Sequence, residues 1–184
     1  MDRFRPRFVI FVLALAVLTA APSFAEFRAD FGVLIPWRIG ASAQSGDESA
    51  NDSFNVLQVG MLPFPELMVS YTGDLGPITV GAGLRGFTVI VQSLFWPALY
   101  AEADLGPAVV HLNLGGGAFW SFGIFESEFR TGGIFIPDLS AHLKIGQIFR
   151  LGLGVASIRG IEFDPEVEIT PWVFYISGKF VTMF

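Results

Sequence analysis

His111, His142 and Asp138 are the residues of this chain whose types best suit acid–base or metal chemistry. Imidazole titrates near neutral pH and ligates metals through a ring nitrogen, and a carboxylate can orient it. Their spacing alone builds no site. No G-x-S-x-G nucleophile turn occurs, and the absence of cysteine removes any thiolate ligand or disulfide. The 21 glycines lie in alternating runs with no helix behind them, which excludes a phosphate- or dinucleotide-binding turn. The histidines do keep charged company. Arg28, Asp30, Arg85, Glu102, Asp104, Lys144, Arg150 and Lys179 share the polar face of the same alternating pattern, and both signs are represented. A set of this kind, closed in on itself, reads as a mutually neutralising charge network, because a buried charge without a partner is expensive.

The elements that must carry these residues have a period of two. From Ala108 to Ser121, Ala108, Val110, Leu112, Leu114 and Trp120 alternate with Val109, His111, Asn113, Gly115, Gly117, Phe119 and Ser121. Phe135–Ile145, Phe149–Ser157, Ile78–Arg85, Leu99–Leu105 and Arg28–Trp37 repeat the pattern, with one apolar face and one of small or charged residues. This is strand periodicity. Asp74-Leu75-Gly76-Pro77, Asp104-Leu105-Gly106-Pro107 and Lys144-Ile145-Gly146-Gln147 read as short turns. Gly40–Ser53, Gly123–Gly133 and Arg159–Glu168 read as long polar connections, and Val91–Pro97 as a short aromatic one. Eight strands are predicted, at 27–39, 54–73, 78–90, 95–104, 108–122, 134–144, 148–158 and 169–184.

Composition decides which way the faces point. The 184 residues are 52% hydrophobic and 15% charged, where soluble domains carry about 25% charged residues. The 15% aromatic content excludes disorder, and a net charge of −6 argues against nucleic acid as a partner. Residues 1–25 have the pattern of a secretory signal peptide: Arg3, Arg5 and Arg7, an apolar run from Phe8 to Ala21, then Ser23-Phe24-Ala25. Residues 26–184 form the predicted domain, with no apolar run long enough for a spanning helix. Only helices and closed barrels satisfy their backbone in lipid. The apolar face is free of charge, as lipid requires. The expected fold is therefore all-β: an eight-stranded antiparallel up-and-down transmembrane barrel, with no cofactor. Phe27, Phe31, Trp37, Phe95, Trp96, Trp120, Phe149, Trp172, Phe174, Phe180 and Phe184 are assigned to its lipid-facing surface.

Trp172, Phe174, Ile176, Phe180 and Phe184 share one face, and the alternating aromatic strand ends on Phe184. This resembles the assembly signal of bacterial outer-membrane barrels, although Gly178 and Thr182 depart from its apolar pattern. With the signal peptide and alternating turn lengths, the chain is similar to the small OmpA/OmpX/OmpW-type barrels. The resemblance implies an outer-membrane location, periplasmic termini and extracellular long loops. It also implies outer-membrane lipids and the barrel-assembly machinery as partners, with Phe180 and Phe184 as the residues the machinery reads.

A barrel of eight strands is about filled by its own side chains, which argues against a diffusion pore. Three roles stay open: a structural or surface-interaction barrel, a binder or conduit for small hydrophobic molecules, and a lipid-modifying enzyme. The first is expected, without catalysis. The second would use an apolar pocket of Leu34, Phe87, Val89, Phe119, Ile158 and Val173, above a middle hollowed by Gly81, Gly83, Gly115, Gly117, Gly152 and Gly154. The third is disfavoured because both histidines lie near the short turns, away from the long acidic loops.

Overall fold

The computed structural model describes residues 26–45, 48–56, 62–89, 91–125, 127–164 and 167–184. The strands are β1 (Glu26–Ser45), β2 (Glu48–Asn55), β3 (Phe64–Leu75), β4 (Ile78–Val89), β5 (Gln92–Asp104), β6 (Ala108–Gly123), β7 (Glu128–Ile145), β8 (Phe149–Ser157), β9 (Ile161–Asp164) and β10 (Val167–Met183). Neighbouring strands pair antiparallel in the order β2-β1-β3-β4-β5-β6-β7-β8-β10-β9, and β1 also pairs with β10. That last pairing runs from Arg28↔Met183 to Gln44↔Glu168 and closes the sheet. Eight strands make the barrel wall. The other two, β2 and β9, extend it past one rim as hairpins on β1 and β10.

Closure leaves the wall without a free edge, and the period-two pattern does the rest. Along β6, Val109, His111, Asn113 and Gly115 are buried while Leu112 and Leu114 are exposed. Along β3, Met68, Ser70 and Thr72 are buried while Leu67 and Tyr71 are exposed. Charged groups face the axis and apolar groups face outward. This is the polarity of a membrane barrel, inverted from that of a water-soluble one. Three short turns each place a glycine in the left-handed region, at Gly76 (φ 68°), Gly106 (φ 83°) and Gly146 (φ 70°), where a side chain is disfavoured.

Three expectations need correction. The segment 54–73 is not one strand. Residues 54–55 end β2, in the hairpin with β1, and the wall strand begins at Phe64; Pro63 and Pro65 lie at the break, where a missing N–H is tolerated. Val91–Pro97 is mostly strand, because Val89 pairs with Gln92 and Phe95 with Trp120. Trp96 faces inward and is only 2% exposed. Its parity with Ala98, Tyr100 and Glu102 survives the register shift between Phe95 and Ala98. The proposed signal peptide, residues 1–25, lies outside the described residues.

The inward glycines do not hollow the barrel. A Cβ on Gly81 would overlap the Tyr100 ring, one on Gly115 the Trp96 indole, and one on Gly154 the Tyr175 ring. On Gly152 it would lie 2.6 Å from His142 Cδ2, and on Gly83 2.6 Å from Ser70 Cβ. Gly81, Gly115 and Gly154 thus make room for an aromatic ring on the adjacent strand, while at Gly83 and Gly152 the nearest atoms are the backbone carbonyl oxygens of Val69 and Ala141. Gly117 alone among the six meets nothing within 4 Å; its φ of 79° serves the irregularity between Gly116 and Ala118. Gly115→Leu should therefore displace Trp96 and destabilise the barrel by about 1–3 kcal/mol, the range for overpacking. Gly73→Ala, which meets open space, should change stability by less than about 0.5 kcal/mol. Urea unfolding from lipid vesicles, followed by gel mobility, measures both.

Candidate functional site

Among the described residues, chemistry-bearing side chains converge in the lumen, and strand register sets how they meet. Lys144 pairs with Arg150 across β7 and β8, and Arg150 pairs with Lys179 across β8 and β10. Three cations thus lie in a row on one wall, an arrangement that is repulsive by itself. Carboxylates from β5 and β1 answer them. Glu102 on β5 accepts from Arg150 Nη1 at 2.6 Å and from Arg28 Nη2 at 3.0 Å. Asp30 on β1 lies 3.5 Å from Lys179 Nζ and takes a bidentate pair from Arg28 at 2.7 and 2.8 Å. Asp104 pairs with Lys144 at the rim, where its side chain is 52% exposed. Each cation of the row has a carboxylate from another strand against it.

A second cluster draws on β3, β4, β7 and β10. Arg85 on β4 donates to Glu66 Oε1 at 2.5 Å and lies 2.6 Å from Asp138 Oδ2. Tyr175 donates its hydroxyl hydrogen to Asp138 Oδ1 at 2.5 Å. Rings cover the charges: Tyr100 lies under the Arg28 guanidinium, 5.4 Å from centroid to Cζ, and meets His111 edge-on at 5.0 Å. His142 Nε2 lies 2.8 Å from Ser177 Oγ. Four buried carboxylates (Asp30, Glu66, Glu102, Asp138) balance four buried cations (Arg28, Arg85, Arg150, Lys179), so this core is neutral when both imidazoles are neutral.

The structure places all eleven residues of the predicted network on the inner face, with Asp104 and Lys144 at the rim. It does not bring His111, His142 and Asp138 together as ligands. Asp138 is occupied by Arg85 and Tyr175, and His142 by Ser177. No group of three or more His, Cys, Asp or Glu among the described residues is arranged to hold a metal ion. Glu66 and Tyr175 belong to the network without having been singled out in the sequence. The alternation of Met68, Ser70 and Thr72 reaches back to Glu66, and that of Ser177 and Lys179 reaches back to Tyr175.

Among the described residues, a cavity of about 10 Å³ in the lumen is lined by Glu66, Arg85, His111, His142, Tyr175 and Lys179 among others, room for about one water. Of the predicted pocket, Leu34 borders this charged cavity. Phe87 and Phe119 close on Trp96, with ring centroids 5.3 and 6.3 Å from the indole, and Phe64 adds to Phe87 at 6.1 Å. Ile158 and Val173 are half-buried, and the Val89 side chain lies outside the described residues. The expected empty middle is filled by indole and phenol. Phe180 and Phe184 are exposed on the outer face, and the Phe184 N–H donates to the Phe27 carbonyl at 2.8 Å.

No family profile matches this chain, and no curated protein does. Solved structures do resemble it. The crystal structure of Neisserial surface protein A (NspA) is 11% identical with a TM-score of 0.47, covering 84% of this chain and 96% of that one. Ail, the attachment invasion locus protein of Yersinia pestis, is 9% identical with a TM-score of 0.36, covering 85% and 99%. A second Ail structure, in complex with the heparin analogue sucrose octasulfate, is 11% identical with a TM-score of 0.38.

Glu102 holds two arginines, so Glu102→Gln should leave a buried cationic excess and destabilise the barrel by about 3–5 kcal/mol. Asp104→Asn, at the exposed rim, should shift the midpoint far less. Urea midpoints in lipid vesicles discriminate the two.

Proposed function

We propose that this chain is a bacterial outer-membrane barrel that conducts nothing and works through its hairpin-extended rim, as a surface-interaction protein. The observation that carries the reading is the filled lumen: among the described residues, the ion pairs braced inside it line a cavity of only about 10 Å³. A path for solutes would have to break several buried pairs at once. Function then falls to the rim.

In the sequence, the long connections hold most of the net charge. Without residues 1–25 the chain has 16 acidic and 8 basic residues. The lumen balances, and so does the Asp104–Lys144 pair. Nine acidic residues (Asp47, Glu48, Asp52, Glu126, Glu128, Glu162, Asp164, Glu166 and Glu168) lie in the long connections and their flanks, against Arg38, Arg130 and Arg159. With residues 1–25 as an export signal, both termini are periplasmic and this acidic rim faces the exterior. The outer face supplies the contact with membrane lipids, and Phe180 and Phe184 are what the assembly machinery reads. The conduit reading is weaker, because Trp96, Phe87 and Phe119 occupy the middle it requires.

Purified full-length barrel in planar lipid bilayers should give no stepwise ion conductance at neutral pH. Discrete channel openings from the wild-type protein would overturn the closed-lumen reading. Protease added to intact cells should cut within Gly40–Ser53; cleavage only after envelope rupture would overturn the assigned orientation.

A further inference from the structure

Two clusters of rings mark the ends of the outward face along β1. Near the short turns, Phe27 packs on Tyr71 and Phe184 with centroids 5.8 and 5.9 Å apart. Toward the hairpin-bearing rim, Phe174 packs on Trp37 at 5.7 Å and on Trp172 at 5.3 Å. Phe27 and Trp37 stand ten residues apart on one strand. At about 3.3 Å per residue and a tilt of about 40°, that is roughly 25 Å along the membrane normal, the height of the apolar band of an outer-membrane barrel. The Trp37 cluster therefore lies at headgroup depth.

A bulge at this depth does what strict alternation cannot. The β1–β10 register shifts between Pro36 and Arg38, and such shifts re-aim side chains. Trp37 and Arg38, consecutive in the chain, both stand on the outward face: Trp37 lies against the Phe174 ring, and Arg38 is the register partner of Phe174. Arg38 is exposed, and it donates to Ser53 Oγ from Nε at 3.2 Å and from Nη2 at 2.9 Å. It makes no ion pair among the described residues. A guanidinium cannot shed its proton, so this charge calls for an anion from outside the chain.

The surroundings say what that anion is attached to. Gly40 leaves room for the Trp172 indole to lie across the β1–β10 seam; a Cβ there would overlap it. Just beyond the rings the outward face turns polar, because Gly40 pairs with Ser53, and Ser42 with Thr170 and Asn51. Asp52 pairs with Ala41 and so takes the opposite face. Rings below, a cation at the boundary and hydroxyl and amide groups above match the layering of a lipid.

We propose that this seam binds the phosphorylated headgroup of an outer-membrane lipid, with the phosphate on Arg38, the hydrocarbon along Trp37 and Phe174, and headgroup hydroxyls toward Ser42 and Asn51. The planar guanidinium suits phosphate oxygens two at a time. The tails need no separate pocket, since the site continues the lipid-facing wall. Which leaflet supplies the lipid rests on the orientation proposed above, but the contact itself belongs to the isolated barrel.

The test uses the purified full-length barrel in non-ionic detergent, with bound lipid counted by native mass spectrometry. Dimyristoyl phosphatidic acid should be retained as a single adduct, about tenfold more tightly than dimyristoylglycerol, which lacks the phosphate. Arg38→Gln should remove that preference, and Arg38→Lys should keep only part of it, since an ammonium lacks the fork. Heat-modifiable gel mobility checks that both variants are folded. Glycerol phosphate at equal concentration should not displace the lipid. Equal retention of the two lipids would overturn the inference, as would a preference that survives Arg38→Gln. Displacement by glycerol phosphate would name the free anion as the ligand and overturn it too. Binding at Arg38 that persists while β2 proves periplasmic in cells would sink the surface reading and leave this one standing.

Discussion

A carboxylate removed from water must have its counter-charges delivered by geometry, and in this barrel Glu102 receives two, Arg28 from β1 and Arg150 from β8. Breaking such a pair by removing one partner costs about 3–5 kcal/mol, a large share of a typical folding free energy of about 5–15 kcal/mol. Because Glu102 stands on β5 and its partners on β1 and β8, these pairs also tie together strands far apart in sequence. Lys144, Arg150 and Lys179 would repel one another along their row without Asp104, Glu102 and Asp30. The lumen is a polar core in the mechanical sense: it resists compression, excludes all but about one water and ties the wall together.

Shape follows from the same constraint. Large rings beside a crowded axis need relief somewhere, and Gly81, Gly115 and Gly154 supply it by letting Tyr100, Trp96 and Tyr175 lie against the neighbouring strand. These rings then do two jobs. Tyr100 covers Arg28, and Tyr175 completes the hydrogen bonds of Asp138. The aromatic group of Trp96, Phe87 and Phe119 adds a further layer across the interior. A wall held this way from inside has little reason to move.

Much of this was legible in the alternation. One clean period of two assigns Arg28, Asp30, Glu102, His111, His142 and Lys179 to the inside, because each flanking residue is apolar. The failures have physical causes. Prolines at 63 and 65 interrupt the pattern between two strands that a sequence merges into one, and with it goes the sight of Glu66. Trp96 has an outward-facing aromatic on one side and a proline on the other, so its type outweighed its parity with Tyr100 and Glu102. Glycine was the subtler case. Its missing side chain looks like empty space along the chain, whereas the volume belongs to whichever ring stands on the adjacent strand, and that pairing is a matter of register.

The central claim is the inversion of polarity: charge and ring inside, hydrocarbon outside. Nitroxide labels on Leu112, Leu139 and Leu153, all outward and about half exposed, test it most directly in lipid vesicles by power saturation. High accessibility to oxygen and low accessibility to a water-soluble nickel chelate at all three positions is the predicted result. Ready access of the nickel chelate to these leucines would mean that this face meets water, and would contradict the account.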